Sequence, residues 1–275
     1  MFTRSFLASL LLVCAQQASA LVISVDSDLD DWLAKKPEGK SSDWTPRSDA
    51  DIKWAEEDQR NGYLNPGWGG QKYDAEAIYV NRSDGFINIA VVTGRAPNGS
   101  GWAAGDLAID FGNDGVFEVG VVSLTDSTGI GAAGDLYLVD AWDYGIWSAP
   151  GVAGDPDAPS AFSQKHPTTV KAGTDIGDVD LSYGDFAYGG ETGLDLGEYG
   201  HGGKHYVIET AIPISMLATH FDAETLNDSF LVHWTMACAN DFVEVDPPGM
   251  VPIPAPLSLL VIGLLALATR RARRD

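Results

Sequence analysis

Eight short apolar runs separated by turns rich in Gly, Asn and Asp restrict this 275-residue chain more than any other feature. Ala77–Val80 and Phe86–Val92 flank Ser83-Asp84-Gly85, and Leu107–Phe111 and Val116–Leu124 flank Gly112-Asn113-Asp114-Gly115. Further runs lie at Leu136–Trp142 and within Lys204–Pro213, and Phe230–Ala237 is joined to Phe242–Val245 through Ala239-Asn240-Asp241. No long amphipathic helical period competes; within the body a short helical candidate is Pro213–Ala218, with Pro at its start. Short runs at this spacing predict a mainly β fold, an antiparallel β-sandwich of jelly-roll-like kind with long Gly/Asp-rich loops. The stretch Asp143–Lys204 differs, since 13 of its 62 residues are Gly and its apolar runs are short. It predicts long loops over one end of the sandwich, with room for one or two edge strands.

The first 20 residues carry Arg4, the apolar stretch Phe6–Cys14 and Ala18-Ser19-Ala20, the layout of a secretory signal peptide cut after Ala20. Val13 stands where a lipoprotein signal needs a small residue, so Cys14 is read as part of the leader. Cys238 is then the one cysteine of the exported body, and no intramolecular disulfide forms. Stability must come from a core, and residues 21–247 are long enough for one large domain. Residues 21–250 keep 12 Lys/Arg and 38 Asp/Glu, so the body carries about −26. A field of that sign repels nucleic acid and anionic membranes and favours cations.

Residues 248–275 form a third part. Leu257–Thr269 is apolar or small at every position but Ser258, and Arg270, Arg271, Arg273 and Arg274 follow. Thirteen residues fall short of the roughly 20 that span a bilayer as a helix, so the short C-terminal helix is read as a temporary hold in the inner membrane. The arginines favour the cytoplasmic side and retain it there. Val251, Pro252, Ile253, Pro254 and Ala255 precede the helix. This order resembles the PEP-CTERM sorting signal of Gram-negative bacteria, with Ile253 where the name-giving Glu would be, as in the apolar Val-Pro-x-Pro-Ala variant. The resemblance implies processing by an exosortase near the Pro motif, and a final place at the cell surface or in the extracellular matrix. "YDAEAIYV", "INIAVVTG", "GDLAIDFGNDGVFEVGV" and "VHWTMACANDFVEV" look like segments of secreted surface proteins that carry such tails. In patches, "DSDLDDW", "YDAEAIYV" and "ETAIP" are similar in order to family 9 carbohydrate-binding modules, which implies a β-sandwich with calcium and a sugar face.

Two acidic stretches are candidate calcium sites. Asp110, Asn113, Asp114 and Glu118 cluster around a Gly-bent turn that can supply several oxygens. An EF-hand is excluded, because Gly112 takes the third position and Val121 stands where the bidentate Glu belongs. A metal-free hairpin is the competing reading, since Asn-Asp-Gly favours positive φ unaided. Asp28 and Asp30, in "VDSDLDDW", are either ligands or a solvated acidic entry to the first strand. Trp68, Trp102, Trp142 and Trp147 sit in Gly-rich surroundings, where flat rings either stack on sugars or seal the sandwich ends. Trp234, inside a strand, reads as core, and Cys238 as buried and inert.

Catalysis finds no support. His201 and His205 are separated by two glycines and a lysine, without the Glu of a zinc-protease helix. Glu244-Val245-Asp246 begins like a paired-acid glycosidase strand but runs into Pro247-Pro248. No nucleophile elbow or phosphate loop is present. The expectation is a non-enzymatic exported protein, structural or adhesive in the envelope or exopolysaccharide. A calcium-dependent carbohydrate-binding module is the alternative, and a polysaccharide hydrolase a weaker one.

Overall fold

A computed structural model describes residues 22–33, 44–56, 70–83, 85–125, 129–145, 166–185, 205–239 and 241–247. Residues 1–20, read as a leader from sequence, the segment from residue 248, Trp68 and Trp147 lie outside the described residues. Two antiparallel sheets face each other. The first runs β1 (Ile52–Glu56), β2 (Ala75–Ser83), β3 (Phe86–Thr93), β9 (Tyr206–Pro213), β8 (Asp180–Asp185). The second runs β11 (Phe242–Val245), β10 (Phe230–Thr235), β4 (Leu107–Phe111), β5 (Val119–Val121), β6 (Asp135–Trp142), β7 (Val170–Asp178). The chain crosses between sheets after β3, after β7 and after β9, and β3 pairs with β9 as β4 pairs with β10. The first and last of these crossings therefore run side by side, the rolled arrangement of jelly-roll sandwiches.

Alternation along each strand divides the apolar residues between layers. Ile78, Val80, Ile87, Ile89, Ile208 and Ile212 from the first sheet meet Leu107, Ile109, Val119, Val121, Val232 and Trp234 from the second in one buried core. Each fully buried side chain of this kind contributes roughly 1.5–3 kcal/mol. The Trp234 indole N–H also donates to the Gly105 carbonyl at 3.0 Å, so its polar end is satisfied. At one end Asp241 ties the sheets together, accepting the β2 amide of Ala75 at 2.7 Å. Short helices α1 (Ile214–Leu217) and α2 (Ala223–Asn227) link β9 to β10, with Pro213 at the N-cap of α1.

Apolar clusters lie on the outward faces too. Across the first sheet, Ala77, Tyr79, Ala90, Val92 and Val207 pack under Leu29, Trp32, Leu33 and Trp44 from the N-terminal segment, which forms a strap. Across the second, Trp142 and Val170 lie over β5, where a Cβ on Gly120 would sit 2.6 Å from Val170 and 2.8 Å from Trp142. Gly120 is required there by close approach, not by its φ.

Candidate functional site

The β4–β5 hairpin builds the acidic cluster. Asp110 alternates outward from Ile109 and Phe111, and the turn after it needs positive φ at Gly112 (104°), Asn113 (54°) and Gly115 (89°). That curl brings Asp110, Asp114 and Glu118 together, with one carboxylate oxygen of each within 4.8 Å of the others. The Asp110 oxygens accept the backbone N–H groups of Asp114 (3.1 Å) and Gly115 (2.7 Å), and Glu118 accepts that of Phe111 at 2.9 Å. Asn113 takes a different part: its side-chain amide donates to Asp246 at 2.9 Å, fastening the turn to the end of β11. Burial pushes the Glu118 carboxyl up, and the charges of Asp110 and Asp114 push the same way against the Phe111 hydrogen bond. A cation here would lower that repulsion.

Asp28 and Asp30 do not join this group. They lie on the strap over the first sheet, in successive side-chain-capped turns: Asp28 N–H donates to Asp26 at 2.9 Å and Asp30 N–H to Asp28 at 3.0 Å. Burial, followed by Asp30, Asp26 and Asp31, raises the Asp28 carboxyl. The strap is held from below by Glu209 of β9. One Glu209 oxygen accepts the amides of Asp26 and Ser27, and the other accepts the Trp32 indole N–H at 2.7 Å. "DSDLDDW" and "ETAIP" thus meet in one buried contact.

Among the tryptophans, Trp102 is 48% exposed between β3 and β4. Trp142, which the sequence leaves between stacking on a sugar and sealing the sandwich, is buried over Gly120, and its indole N–H donates to the Phe117 carbonyl at 2.9 Å. A shallow groove of about 340 Å³ lies between the strap and β3, β8 and β9, lined by Ile23, Val25, Phe86, Asn88, Asp180 and Leu181.

A second convergence, on the outward face of the second sheet, is absent from the candidates that the sequence suggests. His233 and Glu244 are directly opposite across β10 and β11, with His233 Nδ1 2.8 Å from Glu244 Oε1. His166, just before β7, places Nδ1 3.8 Å from the same oxygen. Phe242 stacks on the His166 ring at 3.9 Å, and Phe117 lies 5.6 Å from the His233 ring. Burial raises the Glu244 carboxyl, but the His233 hydrogen bond and the two nearby histidines outweigh it and the net is downward. The sequence does carry a signal for two of these residues. His233 and Glu244 take the outward parity of "FLVHWT" and "FVEV", and the hairpin between them sets them opposite. His166 is 67 positions from His233, and no spacing rule connects them.

No family model matches the chain, and no curated protein matches it. Fold and side-chain geometry therefore define the class: an acidic two-sheet sandwich whose first sheet is covered on its outward face by the N-terminal strap. Cys238 is buried, and it lies in the turn after β10 rather than within a strand.

Proposed function

We propose that the chain is an exported, exosortase-processed surface protein whose sandwich is a structural or adhesive module of the envelope or exopolysaccharide. The observation that carries this reading is the pair of segments framing one acidic body: a leader ending at Ala20, and a tail of Pro motif, short apolar helix and four arginines. Its partners are the exosortase during export and envelope or matrix polysaccharide afterwards, with only transient membrane insertion. Calcium at Asp110, Asp114 and Glu118 serves as a staple of the β4–β5 turn. Three carboxylates within 4.8 Å support it, and calcium accepts such oxygen sets with backbone and water completing six to eight ligands.

Cell fractionation with mass measurement of the C-terminus tests the sorting. The native chain is expected at the surface without its Arg cluster. A chain with Arg270, Arg271, Arg273 and Arg274 replaced by Ala is expected to be mislocated or uncut. A native surface fraction that still ends at Asp275 would sink the proposal.

Glycan binding is the second reading, favoured by the exposure of Trp102 in a Gly-rich connection. Pull-down on matrix polysaccharide, repeated with Trp102→Ala, separates it from a purely structural role. Retention lost in the variant supports it, and equal retention removes Trp102 from it.

A further inference from the structure

We propose that His166, His233 and Glu244 form a binding site for one divalent first-row metal ion of the zinc class on the outward face of the second sheet. This is independent of the calcium staple and of the sorting tail. The ligand atoms come from three separate places in the chain, yet one from each lies within 4.8 Å of the other two. Both imidazole Nδ1 atoms approach the same carboxylate oxygen, at 2.8 and 3.8 Å. A tetrahedral ion with bonds near 2.1 Å holds its ligand atoms ~3.4 Å apart. The two separations straddle that value, and a few tenths of an ångström of side-chain movement would admit the ion.

The spacing of the rings agrees with this. Two imidazoles bound through Nδ1 to one such ion hold their centres ~5 Å apart. The centres of His166 and His233 are 5.2 Å apart; their planes are 12° from parallel, and a turn of the His166 ring about its Cβ–Cγ bond brings a shared ion into both planes. His233 is wholly buried, and its Nε2 has no hydrogen-bond partner. All polar interaction of that ring is therefore on the edge facing Glu244. Phe242 and Phe117 fix the rings laterally. The Glu244 side chain is 32% exposed, which gives the ion a route in from solvent.

The donor set selects the ion. Two imidazoles and one carboxylate suit zinc, whereas an oxygen-only cluster such as Asp110, Asp114 and Glu118 suits calcium. Three protein ligands leave a fourth position for water.

The test uses the full chain, stripped with chelator and titrated with zinc sulfate alone. One zinc per chain is expected by calorimetry. The melting temperature should rise by about 5–10 °C at a zinc concentration 100 times the dissociation constant. Cobalt(II) in place of zinc should give the visible absorption of a tetrahedral site. Glu244→Gln and His166→Gln should each weaken binding by more than about a hundredfold, since even outer partners of a metal site cost ten- to a hundredfold. Asp114→Asn should leave the titration unchanged. The proposal is overturned if the cooperatively melting native chain binds no zinc. It is equally overturned if binding survives both ligand variants, or is lost in Asp114→Asn instead.

Discussion

Glu209 sits in the middle of β9 without solvent contact, and three N–H donors from the strap converge on it. Burial pushes its carboxyl from the ordinary 4.5 up to about 7, against the pull of those donors. Between these values the folded chain binds more protons than the unfolded one. The stability this contributes is full below pH 4.5 and is lost as pH rises through 7. The amount is on the order of 3 kcal/mol, since each tenfold gain in proton affinity on folding is worth ~1.4 kcal/mol. Urea unfolding at pH 5 and pH 8 is expected to show this fall in the native chain and a flatter profile in Glu209→Gln. A parallel fall in both would place its origin elsewhere. Just past the turn that follows β10, Ala239 holds φ 54° while its methyl packs against Tyr144 and Phe242. Left-handed backbone costs an L-residue ~1–2 kcal/mol. Removing the methyl forfeits ~0.8 kcal/mol of burial and adds ~0.4–1 of unfolded-chain entropy. These nearly cancel, so Ala239→Gly should change stability by less than about 1 kcal/mol. Ala239→Val adds β-branching to the same φ and should lose more than about 2 kcal/mol; denaturant midpoints compare them.

Among the elements, the strap is the one whose removal the first sheet would feel most. Its Trp32 is fully buried over Tyr79, with ring centres 6.0 Å apart, and reaches Glu209 beneath. Trp32→Ala should cost ~3–5 kcal/mol, the usual range for deleting a buried aromatic. It should also admit a hydrophobic dye to the face formed by Ala77, Tyr79, Ala90 and Val207. Unchanged urea midpoint and dye signal would mean that the strap rests on the sheet without stabilising it. The covering of this face explains which strands are readable from sequence. β2, β3, β4 and β10 are buried on both sides, so they appear as nearly continuous apolar runs. β1 carries Lys53 and Glu56, and β7 mixes two glycines with Lys171 and two aspartates. Both are edge strands, and pairing with β2 and β6 places them where composition does not. β8 is also an edge strand, within the Gly-rich stretch that leaves room for one or two. Similarly, the acidic turn is legible because its residues are local. The histidine–glutamate group is not, because its third member arrives from a distant connection.

Across the whole molecule, 38 carboxylates face 12 bases in residues 21–250, and self-repulsion opposes the compact state. Screening acts over a Debye length of ~10 Å at 0.1 M salt, so sodium chloride alone should raise the melting temperature. A calcium staple predicts more than screening. At matched ionic strength, calcium at 100 times its dissociation constant should add ~2.7 kcal/mol, a further shift of about 5–10 °C for a domain of this size. Asp114 is the residue for isolating that increment. Its side chain is exposed and accepts only the amide of Val116 at 2.9 Å, whereas Asp110 is buried and holds two amides of the turn. Asp114→Asn should therefore fold, keep the sodium chloride response, and lose the calcium increment. Asp110→Asn should lower the melt even without calcium, because an amide cannot accept from both backbone donors as a carboxylate does. If calcium and sodium chloride act alike at equal ionic strength, the charge acts only as a diffuse field. The hydrogen bonds of the β4–β5 turn then account for its shape without a metal.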